Sequence, residues 1–285
     1  MIRSILLPLA EGSLAVNARD FAFWLAKKEG SRIHVLAVID LKAFEIPVLG
    51  TPDGFMPSVV TPPLQESQSL LEEMTAAAKE RVEAFNRECA AGEISCSTEI
   101  RTGIPAEVIA RTAVAHDIVV MSRSGYSRIS DARSKVDVVV PQVVRNSIRP
   151  VLVAGSKPRE EKDVHNILVA FDGSMHAGRA LLVAAELGAR PDVQCTLVAI
   201  SATDDAGREI LAPAEAFLYH HGITPGRQVV LGSKPSELIC GIVAATRADI
   251  LVMGAYGHSP VREMLFGSTT ERVLSHCGTT VILQS

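Results

Sequence analysis

This 285-residue chain matches itself, landmark by landmark and in the same order. The run from Ser4 to Ser13 parallels the run from His165 to Ser174. Each is an apolar stretch that closes on an acidic residue, Gly and Ser, as Glu11-Gly12-Ser13 and Asp172-Gly173-Ser174. Gly103 to Ile109 then parallels Gly232 to Ile239, with one extra residue in the second copy, and His116 to Ser122 parallels Ala248 to Gly254. Chance produces one such likeness easily, but not a series in register, so the chain reads as a duplicated unit. Its length suits two compact domains at roughly 100–200 residues each. We place them at 1–155 and 164–285, joined by the polar, charged stretch from Gly155 to Asp163.

Within each copy, short β-rich apolar runs alternate with helical patterns, which predicts an α/β fold with a parallel sheet and helices on both faces. In the second copy strands are expected near 166–171, 193–200, 227–231, 249–253 and 280–284. Ser174 is a suitable N-cap for a helix ending near Gly188, Pro235 starts the third helix, and Ser268 or Thr269 starts the last. Continuous runs such as Ile250-Leu251-Val252-Met253 favour strands buried on both faces. The first copy carries a Pro-rich excursion from Leu41 to Gln65 after its second strand. The β-branched C-terminal run Thr280 to Leu283 would aggregate as a bare sheet edge, so it is expected to be paired.

Hydrophobic residues make up 47% and charged residues 21%, enough for buried cores and too little charge for a disordered chain. A net charge of -4 gives no general attraction to a phosphate backbone, and no basic patch argues for nucleic acid. The apolar N-terminal run meets Glu11 too soon for a signal peptide. No stretch approaches the ~18 apolar residues of a membrane span, so the chain is expected to be cytoplasmic. Cys89, Cys96, Cys195, Cys240 and Cys277 are odd in number and contain no CxxC pair, which points to idle thiols in a reducing compartment rather than disulfides or zinc. His220-His221 reads as a solvated helix end, because adjacent helical residues point in different directions.

The residues with chemistry to offer follow the fourth strand of the second copy. From Gly254 the chain runs to Gly257-His258 and on to Gly267-Ser268-Thr269, a G-x2-G-x9-G-S pattern. Glycines at a strand end let main chain approach a ligand closely, and a Gly-Ser-Thr helix start presents free N–H groups and hydroxyls to an anion such as phosphate. In open parallel sheets ligands sit at the carboxyl ends of the strands, where strand order reverses. Asp172 ends the first strand beside that crevice and can accept bonds from a ribose or adenine or help hold a metal ion.

This spacing, its place after the fourth strand and the acidic residue after the first strand resemble the universal stress protein family over nearly the whole chain. The resemblance implies two doubly wound domains, each a five-stranded parallel sheet in the order 3-2-1-4-5. It also implies an adenine-nucleotide site, for ATP with Mg²⁺, in the C-terminal domain. By position Asp172 would contact the nucleoside, the backbone at Ala199 the adenine and Gly254 the ribose, while Gly257, His258, Gly267, Ser268 and Thr269 would surround the phosphates. Family members pair their fifth strands across a dimer interface, so Pro150 to Val153 and Thr280 to Leu283 are expected to meet within one chain as a pseudo-dimer; a homodimer of the whole chain is also open.

The first copy departs from this pattern. Ser122 stands for Gly254, Asp137-Val138 for Gly267-Ser268 and Glu11 for Asp172, with Gly125 retained, so the first domain is not expected to take ATP in this mode. Arg123, Arg128, Arg133 and Lys135 read as a solvated basic loop or a site for another anion. No group of nucleophile, base and orienter is evident, which favours a regulatory ATP-binding protein. The alternatives are a nucleotide-free scaffold and a slow ATP-hydrolysing enzyme of the nucleotide α-hydrolase group, though the SGGxDS loop of the adenylating ligases is absent. A phospho-acceptor role for Asp172 lacks the acidic pair and late lysine that response regulators carry.

Overall fold

The computed structural model describes residues 1–40, 46–47, 59–60, 64–126, 136–156, 163–257 and 267–285. The N-terminal half runs β1 (Ser4–Pro8), α1 (Ala15–Glu29), β2 (Arg32–Asp40), a two-residue antiparallel pair β3 (Ile46–Pro47) and β4 (Val59–Val60), and α2 (Leu64–Ala91). It continues with β5 (Cys96–Gly103), α3 (Pro105–Ala113), β6 (Ile118–Met121), α4 (Val139–Asn146) and β7 (Val151–Val153). The C-terminal half runs β8 (Asn166–Ala170), α5 (Met175–Gly188), β9 (Gln194–Ser201), α6 (Asp204–His220), β10 (Gly226–Leu231), α7 (Pro235–Thr246), β11 (Ile250–Gly254), α8 (Ser268–His276) and β12 (Thr280–Gln284). Apart from β3, β4 and the start of α2, the excursion expected from Leu41 to Gln65 lies outside the described residues.

Local chemistry explains the starts of these helices. The Ser174 Oγ accepts from Ala177 N and caps α5, Thr203 does the same for α6 through Ala206 N, and Pro235 occupies the first turn of α7, where its missing N–H costs nothing. His220 and His221 are exposed at the end of α6.

Ten of the described strands form one sheet in the order β10-β9-β8-β11-β12-β7-β6-β1-β2-β5. Each half therefore contributes its strands in the order third, second, first, fourth, fifth, all parallel. The halves join antiparallel through their fifth strands, with Val281 opposite Val153, Ile282 opposite Leu152 and Leu283 opposite Val151. All six of these side chains are fully buried, and burying each one on folding is worth roughly 1.5–3 kcal/mol relative to exposure. The intramolecular pairing expected of the two β-branched runs is thus present, and it merges two five-stranded sheets into one.

Strand residues alternate between two core layers. Ile5, Leu152, Val252 and Ile282 pack on one face with α1, α5 and α6, while Leu6, Val151, Leu251 and Leu283 pack on the other with α3, α4, α7 and α8. Each layer extends across both halves, so the core does not stop at the seam.

The strand register corrects one detail of the repeat. Ile5 pairs with Ile118 as Ile167 pairs with Ile250, which aligns Ser4 with Asn166 rather than with His165. Asp117 and Asp249 confirm the frame, because each carboxylate accepts main-chain bonds at the start of its half's first strand, from Arg3 and Ser4 in one case and His165 and Asn166 in the other. Gly12 and Gly173 still coincide in a left-handed conformation, at φ 92° and 80°. The first copy therefore has one more residue in the turn after β1.

The cysteines also differ from expectation. Cys240 on α7 and Cys277 just after α8 form a disulfide, with Cα atoms 5.5 Å apart, while Cys89, Cys96 and Cys195 are free. Burial pushes the Cys195 thiol up to about 11. The two partners lie 37 residues apart, one within α7 and one just past α8, which the sheet topology brings side by side, so no local spacing announces them.

Candidate functional site

At the end of β8 the chain makes a tight turn that β11 and α5 hold in place. Phe171 N donates to Val198 O at 2.9 Å, and Ser174 N donates to Asp172 Oδ1 at 2.9 Å, closing a turn around the carboxylate. The Ser174 hydroxyl, which caps α5, also donates to Tyr256 O at 3.4 Å, so the Asp172 turn is tied to the loop after β11.

Two glycines of that loop are required by close approach. A Cβ on Gly254 would lie 2.6 Å from Ala177 N, so glycine here lets the first turn of α5 sit against the end of β11. A Cβ on Gly257 would lie 3.0 Å from Asp172 Oδ2, which places the loop directly against the carboxylate. Tyr256 packs edge-on against His176 with ring centroids 5.4 Å apart, and burial pushes its hydroxyl above the usual range.

The third side of the site is the start of α8. Gly267 is its N-cap in an extended conformation and supplies no side-chain bond to the first N–H groups of the helix. Thr270 Oγ1 donates to Ala255 O at 2.8 Å and fixes this turn beside the loop.

Asp172, Gly254, Gly257, Gly267, Ser268 and Thr269 line a single cavity of about 370 Å³ at the carboxyl ends of β8, β9 and β11. Ala199 is not among the lining residues. Its side chain is buried in the α5–α6 core, and the alternation along β9 instead turns Val198 and Ile200 toward the cavity. His258 lies outside the described residues. The cavity also uses Gly232, Ser233 and Pro235, the turn from β10 into α7, which the sequence reading did not assign. Their signal was present: Gly232 stands in the repeat opposite Gly103, and Pro235 marks a helix start.

The equivalent place in the N-terminal half is filled from within. Asp137, which is buried, accepts from Tyr126 N and Val139 N at 2.9 Å each, so its carboxylate takes donors at the start of α4. The Tyr126 hydroxyl accepts from Ser122 N at 2.6 Å. A Cβ on Gly125 would run into Glu11 O, and Glu11 itself pairs with Arg81 at 2.8 Å. A cavity of about 130 Å³ remains here. Arg123, expected in a solvated basic loop, is instead buried at the seam, while Arg128, Arg133 and Lys135 lie outside the described residues.

The model of the universal stress protein family matches residues 1–155 and again 163–283. The chain belongs to the universal stress protein family. It is a tandem member, with one copy of the family unit in each half. A universal stress protein of the cyanobacterium Synechocystis sp. is 25% identical over 284 residues, covering 96% of each chain. A solved universal stress protein from Archaeoglobus fulgidus superposes with a TM-score of 0.72 at 21% identity, over 99% of this chain and 96% of that one. A solved putative universal stress protein from Pseudomonas aeruginosa gives a TM-score of 0.63 at 16% identity, over 99% and 93%. These structures share the tandem fold with this universal stress protein. Among the described residues no helix is long and apolar enough to cross a membrane, and no group of His, Cys, Asp or Glu is arranged to hold a metal by itself.

Proposed function

We propose that the C-terminal half binds ATP and that the chain is a cytoplasmic regulatory protein of the stress response, whose nucleotide occupancy alters its stability or its choice of partner. One observation carries this reading: a carboxylate, Asp172, and a helix start without a side-chain cap, Gly267-Ser268-Thr269, converge on one cavity from the connections that follow the neighbouring strands β8 and β11. A helix N-terminus favours an anion through its free N–H groups and its dipole. A carboxylate facing it across a cavity suits the hydroxyls of a ribose.

In this reading Asp172 accepts from the ribose, and Val198 and Ile200 form an apolar wall for the base beside the main chain of Ala199. Gly254 meets the ribose through its main chain, and Gly257, His258, Gly267, Ser268 and Thr269 receive the phosphates. The volume of about 370 Å³ falls in the usual range for small-molecule sites. Mg²⁺ would arrive with the phosphates, whose charge it would neutralise, and the hydroxyls of Ser268 and Thr269 would offer it hard oxygen ligands.

The test is titration calorimetry of the full chain with ATP and Mg²⁺. Gly267→Val adds bulk at the cavity rim, and Asp172→Ala removes the acceptor. Each is expected to weaken binding by about tenfold or more, the worth of a charge-assisted hydrogen bond or a blocked approach. Unchanged affinity in both variants refutes the placement. Ser122→Ala, in the half whose site is filled, leaves the affinity as it was.

A further inference from the structure

The helix that would receive the phosphates is held at its far end by the other half of the chain. Arg123 follows β6 and is 4% exposed. Its Nε donates to Ala154 O at 3.1 Å, its Nη2 to Thr279 O at 2.6 Å and its Nη1 to Leu274 O. Leu274 lies in the last turn of α8 and Thr279 immediately precedes β12. The carbonyl of Leu274 is one of those a helix leaves without an internal partner, so the guanidinium caps α8 at its C-terminus.

All three acceptors are main-chain carbonyls. Burial pulls the guanidinium down to about 10, so it is still protonated at neutral pH, and the negative end of the α8 dipole favours that charge. A planar fork of donors reaches three carbonyls at once, which a lysine ammonium cannot match in geometry.

The arrangement follows from the antiparallel seam. Because β7 and β12 run in opposite directions, the carboxyl end of the N-terminal half lies beside the amino end of β12, where α8 finishes. The return contact is lighter: the Ser285 hydroxyl donates to Ser147 O, just past the end of α4, at 2.9 Å. The strand register aligns Arg123 with Ala255, which has no side-chain donor to return across the seam. The half whose own anion position is filled by Asp137 thus supplies the clamp to the half whose position is open.

We infer that Arg123 is a positioning residue for the phosphate end of the C-terminal site, so that the N-terminal half sets the affinity of a site it does not line. This rests on the ATP reading given above. α8 has nine residues and is about 13 Å long at 1.5 Å per residue, short and stiff enough that a shift at Leu274 moves the N–H groups at Ser268 and Thr269. Thr270 and the Cys240–Cys277 bridge fix the helix to its own half, and Arg123 fixes it to the other.

The experiment compares ATP with adenosine, because only ATP reads the start of α8. Affinities of both are measured by calorimetry for the wild-type chain, Arg123→Met and Arg123→Lys, with melting temperatures recorded alongside. Arg123→Met is expected to weaken ATP by about tenfold while adenosine changes by less than about twofold, as the dipole and N–H contributions at a helix end allow. Arg123→Lys keeps the charge without the fork and should weaken ATP by about threefold. A residue that only held the fold together would lower the melting temperature and leave the ATP-to-adenosine ratio alone. An unchanged ratio in Arg123→Met overturns the inference; if that variant does not fold, an unchanged ratio in Arg123→Lys does so. Failure of the wild-type chain to bind ATP overturns the reading of the site and this inference with it, which separates the two failures.

Discussion

Reducing the Cys240–Cys277 bridge should destabilise the C-terminal half by an amount that the length of the closed loop sets. The partners are 37 residues apart, and the loop-closure relation for a cross-link of that length gives about 4 kcal/mol at 25 °C. Native-state strain and residual structure in the unfolded chain commonly reduce such figures, so a loss of about 2–4 kcal/mol is expected. At roughly 2–4 °C per kcal/mol for chains of this size, the unfolding midpoint should fall by about 5–15 °C. The assay is thermal unfolding followed by circular dichroism, with and without a phosphine reductant. Thiol titration fixes the starting state: the denatured, unreduced chain should show the three thiols of Cys89, Cys96 and Cys195, and five after reduction. Cys277→Ala should melt at the reduced midpoint and ignore the reductant. Five thiols in the unreduced chain, or one midpoint under both conditions, would refute the reasoning.

Other outcomes follow from single contacts. Gly254→Val forces side-chain atoms toward Ala177 N and should destabilise by about 1–3 kcal/mol in urea unfolding, with loss of ATP binding. Leu152→Ala leaves a hole in the middle of the seam and should cost about 2–5 kcal/mol, seen as a lower denaturant midpoint. His116 has its pKa lowered by burial and by the stacked His34, with ring centroids 5.0 Å apart. A group depressed in this way binds a proton less readily in the folded chain. Its contribution is complete above the unfolded histidine value of about 6.5 and lost as pH falls through the folded value. Stability should therefore decline on acidification below about pH 6.5, and His116→Gln should flatten that decline in denaturation measured across pH.

Much of the fold was legible because strands buried on both faces leave continuous apolar runs. The five strands expected in the second copy appear with ends displaced by no more than a residue, and Ser174 and Pro235 start their helices as their chemistry requires. Six residues named for the site meet at one cavity because strand ends of a parallel sheet bring distant segments together. What escaped the sequence depends on neighbours that local pattern does not encode. Cys240 and Cys277 meet only because α7 and α8 lie side by side on one face. Arg123 looked like part of a charged loop because the carbonyls that bury it belong to residues 274 and 279. The extra residue after β1 was hidden because the acidic-Gly-Ser landmark that follows it aligns without a gap, and only hydrogen-bond register reveals the slip in the strand before it.

The antiparallel joint sends the open ends of the two halves to opposite rims of one sheet. Since both halves belong to the same polypeptide, the meeting of β7 with β12 is unimolecular and indifferent to dilution. Cutting the chain between Ser156 and Asp163 would turn that meeting into a bimolecular one, and α8 would lose its guanidinium anchor whenever the fragments drifted apart.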